Sequence, residues 1–194
     1  MRRFARTLPA MVCVLLLAAC AAYQTKPRPE ITYAHKSPIS LNVRSLVVQS
    51  SYQAPGQPPN VEHRFATPPA TIVERWGHER LRTIGTSGTA LFTVLSAPVT
   101  AQPLPVTKGF IGAFRIESEE KLTITLEAQL EILDESGNRV RLASTRVTKS
   151  REMEEGLTAD EKQLFWAELT KLAMDSFDTE MERAIQQYLS EWVL

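Results

Sequence analysis

The clearest periodicity in the chain runs from Leu122 to Ile132. Leu122, Ile124, Leu126, Ala128, Leu130 and Ile132 fall on one face of an extended segment, and Thr123, Thr125, Glu127, Gln129 and Glu131 on the other. Such alternation predicts an antiparallel strand with one wet face. The stretch Asp134-Glu-Ser-Gly-Asn138 supplies a turn, and Val140 to Thr148 predicts the returning strand. Upstream, Leu41, Val43, Leu46 and Val48 predict a first strand, and the change of parity after Val43 points to a bulge. Ala90 to Leu95 predicts a second strand, ended by Pro98.

Two segments change to the helical period. Ile72, Trp76, Arg80 and Ile84 follow at spacing four, with Val73 and Leu81 beside them. Thr67 can cap this helix, prolines are tolerated in its first turn, and Gly85 is a stop signal. Near the C-terminus, Thr158-Ala-Asp-Glu161 fits a capping box. Phe165, Leu169, Leu172, Phe177, Met181, Ile185, Leu189 and Trp192 then form an apolar stripe, with a dip at Asp175-Ser176 that permits a bend. The predicted order is strand, helix, strand, hairpin, long helix. Burying both stripes calls for an α+β fold: an antiparallel sheet with one mid-chain helix and a long C-terminal helix packed on one face.

The first twenty residues follow a different logic. Met1 to Arg6 is cationic, Leu8 to Ala19 is apolar, and Leu17-Ala-Ala-Cys20 follows. Twelve apolar residues rise only ~18 Å as a helix, short of the ~30 Å hydrocarbon core of a bilayer. The segment therefore reads as an export signal. Leu17-Ala-Ala-Cys20 resembles the lipobox of bacterial lipoproteins residue for residue. In that family the cysteine thiol receives a diacylglycerol, the signal is cut before it, and the new amine is usually acylated. The resemblance implies lipidation at Cys20 and attachment to a membrane, which two or more acyl chains make secure. Ala21 stands where an Asp resembles the inner-membrane retention signal of enteric bacteria, so the expectation is the periplasmic face of the outer membrane.

This divides the chain into a signal peptide over 1–19, a lipidated cysteine and tether over 20–38, and one domain over 39–194. Pro27, Pro29 and Pro38 lie in the tether among polar residues. At ~3.1 Å per residue in polyproline geometry it reaches roughly 50 Å. Cys13 leaves with the signal, so the domain is expected to have neither a free thiol nor a disulfide.

Apolar residues make up 43% of the chain and charged residues 23%, which suits a globular core. Formal net charge is zero, with 22 basic and 22 acidic side chains. The signal carries Arg2, Arg3 and Arg6 and no acid, so from Cys20 onward 19 basic side chains face 22 acidic ones. A chain near −3 without a basic run has no electrostatic footprint for nucleic acid.

Catalytic and metal-binding patterns are weak. His35, His63 and His78 have no metal-ligand spacing, and Trp76-Gly-His-Glu-Arg80 lacks a second histidine at i+4. Glu62-His63 reads as a solvated loop pair, Trp76 as core and His78 as surface. Ser87 has no Gly-x-Ser-x-Gly frame. Glu152, Glu154 and Glu155 read as a solvated connector. No metal or other cofactor and no enzymatic activity are expected. Phe165 and Trp166 are adjacent on the long helix and cannot share an angular position, so Trp166 is the candidate partner-binding residue.

The lipobox and the coarse order of elements resemble small outer-membrane accessory lipoproteins. These include the lipoprotein that plugs the lipopolysaccharide translocon and the auxiliary lipoproteins of ABC-type lipid transport. The resemblance implies a non-enzymatic assembly or transport accessory that meets an envelope protein partner. The competing expectation is a lipid- or small-ligand-binding module using a cavity between sheet and helices.

Overall fold

The computed structural model describes residues 30–104 and 118–194. Strand β1 is Ile39–Leu41 and β2 is Ser45–Ser50; α1 (Pro69–Arg80) leads into β3 (Leu81–Thr83). Then come β4 (Thr89–Ser96), β5 (Val99–Pro103), β6 (Ser118–Leu133), β7 (Arg139–Glu154) and α2 (Ala159–Tyr188).

The β6–β7 hairpin is the spine. Its strands are 16 residues each and pair along their whole length, as the alternating pattern predicts. The other edge of β6 is shared end to end: β4 pairs with residues from Glu127 to Leu133, and β5 with residues from Glu120 to Ile124. Pro98 interrupts this edge rather than ending it, because its carbonyl still accepts from the Thr125 N–H. Beyond β5, Val61 N donates to Val99 O and Ala101 N to Pro59 O, so the proline-rich loop closes that side.

The α+β class, the mid-chain helix and the long C-terminal helix are as the sequence predicts. The sheet itself is mixed, because β2 runs parallel to β4. The reason is topological: α1 carries the chain back between these two strands, and a crossover returns it in the same direction. The predicted first strand is two strands, not one bulged strand. β1 pairs in parallel with β3 in a separate small sheet, and only β2 joins the main one. The predicted first helix is also shorter. It ends at Arg80, where the Leu81 N–H still donates to Gly77 O, and Leu81–Thr83 peels away to pair with β1. Gly85 is thus no helix stop. A Cβ there would sit 2.5 Å from the Asn42 carbonyl carbon, so close approach of two backbones requires the glycine.

Both helices pack on the apolar face of the sheet. Trp76 of α1 lies between Phe92 of β4 and Phe177 of α2, each ring centroid 5.4 Å away. Gly77 lets α1 press onto β4, where a Cβ would come within 2.8 Å of the Phe92 ring. Along α2 the buried positions are Leu169, Thr170, Ala173, Met174, Phe177, Asp178, Met181, Ala184 and Ile185, a 3.6-residue stripe. Leu172 falls beside that stripe and is exposed, contrary to the predicted assignment. The helix runs unbroken through Asp175-Ser176. Its capping box forms as expected: Glu161 N donates to Thr158 Oγ1, and Thr158 N donates to Glu161 Oε2. Two cations of β7 lie over aromatic rings, Arg151 over Phe165 in the second turn of α2 at 4.9 Å and Arg141 over Trp192 in the short turn that follows α2 at 5.7 Å.

Candidate functional site

The largest polar constellation lies between the helices. Asp178 of α2 is fully buried, and three donors meet it: Trp76 Nε1 at 2.7 Å, Arg80 Nε at 3.0 Å, and Lys36 Nζ. Arg80 is buried too, and also donates to Glu182 Oε2 at 2.6 Å and to the Ser37 carbonyl. Burial alone would push the Asp178 carboxyl up, but hydrogen bonds from Lys36, Trp76 and Arg80 outweigh it and hold the group below its ordinary range. One signal of this pair was present in the sequence. Each helical stripe carries one charged residue among apolar ones, Arg80 on the first and Asp178 on the second, and their signs are opposite.

Residues 31–38 were expected to belong to the tether. They instead lie across the two helices, and the compact unit begins at Ile31. Tyr33 is the one buried side chain of this strap, and its hydroxyl donates to Asp175 Oδ1 at 2.8 Å. Burial and that carboxylate push the Tyr33 phenol well above its ordinary range. Tyr33 N donates to Glu79 Oε2, Thr32 Oγ1 donates to Glu79 Oε1, and Arg75 donates to the Ile31 carbonyl. A single aromatic among polar contacts leaves no periodicity to read, which is why the strap resembles linker in sequence.

A second buried acid corrects another expectation. Glu62 is 2% exposed, while His63 beside it is exposed. Its Oε1 accepts from Tyr52 Oη at 2.6 Å, Asn60 Nδ2 at 2.9 Å and Val99 N at 3.0 Å. Burial raises the carboxyl, and these donors more than offset it, leaving the group below its ordinary range. Glu62 acts as a staple that ties the proline-rich loop to β5. Tyr52 and Val99 are 10 and 37 positions away in sequence, so no local pattern marks this role.

Trp166 stands on the same side of the molecule. Its ring stacks on Phe65 with centroids 5.4 Å apart, and it is half-buried at the seam between α2 and the loop. Its indole N–H is buried and meets no acceptor among the described residues. Phe165 is half-buried beneath Arg151, and the neighbour that protrudes is Leu164, at 51% exposure. Leu164, Leu157 and Phe165 line a surface groove of about 250 Å³ with Arg151, Glu154 and Glu168. Cys20 lies outside the described residues.

Trp76 is core and His78 surface, as predicted. Ser87 is exposed, in the turn between β3 and β4. Among the described residues no group of three or more His, Cys, Asp or Glu is placed to hold a metal ion. No described helix is long and apolar enough to cross a membrane. Among the described residues, Trp76, Phe92, Leu126, Leu130, Met174 and Phe177 are fully buried between sheet and helices. The opposite sheet face is polar, with Thr123 bonded to Ser150 and Thr125 to Thr148, and Glu127 and Glu131 paired with Arg146 and Arg139. The outer edge of β7 has no strand partner among the described residues, and its arginines and Lys149 are the kind of charge that keeps a long edge from pairing at random.

No protein-family model matches the chain, and comparison with curated proteins finds no match.

Proposed function

We propose that this protein is a lipoprotein held by lipid on Cys20 at the periplasmic face of the outer membrane, where it serves as a non-catalytic assembly or transport accessory through contacts with an envelope protein. The observation that carries this reading is the frame Leu17-Ala-Ala-Cys20 after a cationic and apolar leader. Replacing Cys20 by Ser should abolish incorporation of labelled palmitate and leave uncleaved precursor. Wild-type protein that takes up no palmitate and is found freely soluble would overturn the reading.

The large side chains buried between sheet and helices among the described residues support contacts over a ligand held there, and the surface around Trp166 and Leu164 is the proposed contact region. Affinity isolation from detergent-solubilised envelopes tests this: a stoichiometric membrane protein supports it, and a bound lipid in its place would favour a ligand-binding module. Trp166→Ala should weaken capture of that partner. The ring is only partly buried, so the isolated domain should also lose ~2 kcal/mol, less than the ~3–5 of a fully buried tryptophan. Full stability together with unchanged capture would remove Trp166 from both roles.

A further inference from the structure

We infer that the strap from Ile31 to Ser37 is a releasable latch, which can leave the helices without unfolding the domain. The decisive feature is what each docking group keeps when the strap is gone. Asp178 loses Lys36 but retains Trp76 Nε1 and Arg80 Nε. Arg80 loses the Ser37 carbonyl but retains Asp178 and Glu182. Asp175 loses the Tyr33 hydroxyl but retains Lys171 one turn away. Release therefore strands no buried charge, which is the usual reason that breaking a buried ionic network is prohibitive. Glu79 is half-exposed, and water can replace Thr32 and the Tyr33 amide.

Only Tyr33 and the half-buried Ile31 hold the strap by apolar contact. Thr32, Ala34, His35, Lys36, Ser37 and Pro38 are all exposed. A segment with so few buried apolar groups belongs to the low-stability end of a fold, where local opening precedes global unfolding. The opposite holds for β1, directly after it. Leu41 is fully buried, and β1 is fixed on both sides, by β3 and by the bridge to Val193. The hinge of the latch is therefore Pro38, and its moving part is Ile31–Ser37.

Taken with lipidation at Cys20, on which this consequence rests, the latch sets the length of the tether. Docked, ten residues (21–30) lie between Cys20 and the strap. Released, the seven residues from Ile31 to Ser37 are added to them, up to about 22 Å of further reach at ~3.1 Å per residue. A partner that captures the strap, or competes for its seat on the helices, would change how far the domain reaches.

The test is hydrogen exchange on the full-length lipoprotein in detergent, with and without the paired substitution Tyr33→Ala and Lys36→Ala. In the wild type the amides of Tyr33 and Lys36 should exchange at least tenfold faster than those of Trp76 and Phe177. In the double variant the strap amides should exchange as free chain while the helix amides keep their protection. Strap amides that open only together with the helices would overturn the latch, as would a double variant in which α1 and α2 lose protection. In vesicles, energy transfer from a dye at Glu152→Cys to labelled headgroups should fall in the double variant. Unchanged transfer, with palmitate on Cys20 verified and the strap free by exchange, would refute the length control alone. Lack of palmitate would refute the anchoring reading and leave the exchange result standing.

Discussion

Among the described residues the fold buries two carboxylates, and it treats them differently. Asp178 meets two cations and an indole, contributed by the strap and α1, and it joins elements about a hundred residues apart. Glu62 meets only neutral donors, from Tyr52, Asn60 and the Val99 amide, and its Oε2 has no partner among the described residues. The first site is ionic and redundant, so one partner can leave. The second is neutral and concentrated on one oxygen, so removing the acid strands several donors together. Redundancy permits motion at one end of the domain, and its absence fixes the loop at the other.

The comparison breaks most visibly at Asp178. Asp178→Ala leaves the buried Arg80 with Glu182, which is itself partly exposed, as its one acidic partner beside the Ser37 carbonyl. Removing one partner of a buried pair typically costs ~3–5 kcal/mol, and that loss should appear in denaturant unfolding. If Asp178→Ala is near neutral, the network is not part of the core. Glu62→Ala should cost less, about 1–3 kcal/mol for the donors left unmet. Its effect should also be local, with faster exchange in residues 59–65 and no change in α2. Equal disturbance of both regions would show that the two sites are coupled, contrary to the distinction drawn above.

Acid sharpens the same contrast. Both carboxyls lie below their ordinary values in the folded protein, so their contribution is complete above the unfolded values near 4. It is lost as pH falls through the lower folded values. Stability should therefore be level from about pH 7 to 5 and decline below about 4. Glu62→Gln, which cannot titrate, should show a shallower decline over that range than the wild type. An equally steep decline would assign the acid loss to other groups. At the alkaline end the raised Tyr33 and Tyr52 phenols give the opposite sign, with support present below about pH 10 and lost above it.

How much of this could be read in advance depends on the distance over which each feature is encoded. The β6–β7 hairpin and the capping box of α2 are local, and their periods and spacings specify them. Leu81–Thr83 fits the helical stripe of α1 equally well, and only its pairing with β1 decides for strand. The parallel β2–β4 edge follows from the connection through α1, a fact about topology that side-chain alternation cannot carry. Glu62 and the strap were misassigned for a shared reason. Polar residues in proline-rich surroundings look solvated until remote donors or acceptors arrive, and those come from β5 and from two helices. Trp166 was legible as an aromatic beside the stripe, but its stacking on Phe65 was not.

The smallest expected effect falls on Lys36, and it separates the redundant site from the concentrated one most directly. The Lys36 side chain is 41% exposed while its partner Asp178 is fully buried. Solvent screens the cation, and ordering a long flexible side chain opposes the attraction, so an ion pair of this kind contributes at most ~1 kcal/mol. Asp178 keeps its bonds from Trp76 and Arg80 after the lysine is gone, so no unmet charge adds to the loss. Lys36→Ala should then lower the unfolding midpoint by no more than ~2–4 °C, the usual shift for 1 kcal/mol in a domain of this size. Added salt should shrink the difference from the wild type. Asp178→Ala, by contrast, should keep most of its deficit in salt, because the buried arginine it strands is beyond the reach of screening ions. If Lys36→Ala proves as costly as Asp178→Ala, Lys36 is essential to the buried network, and the redundancy of the site is refuted.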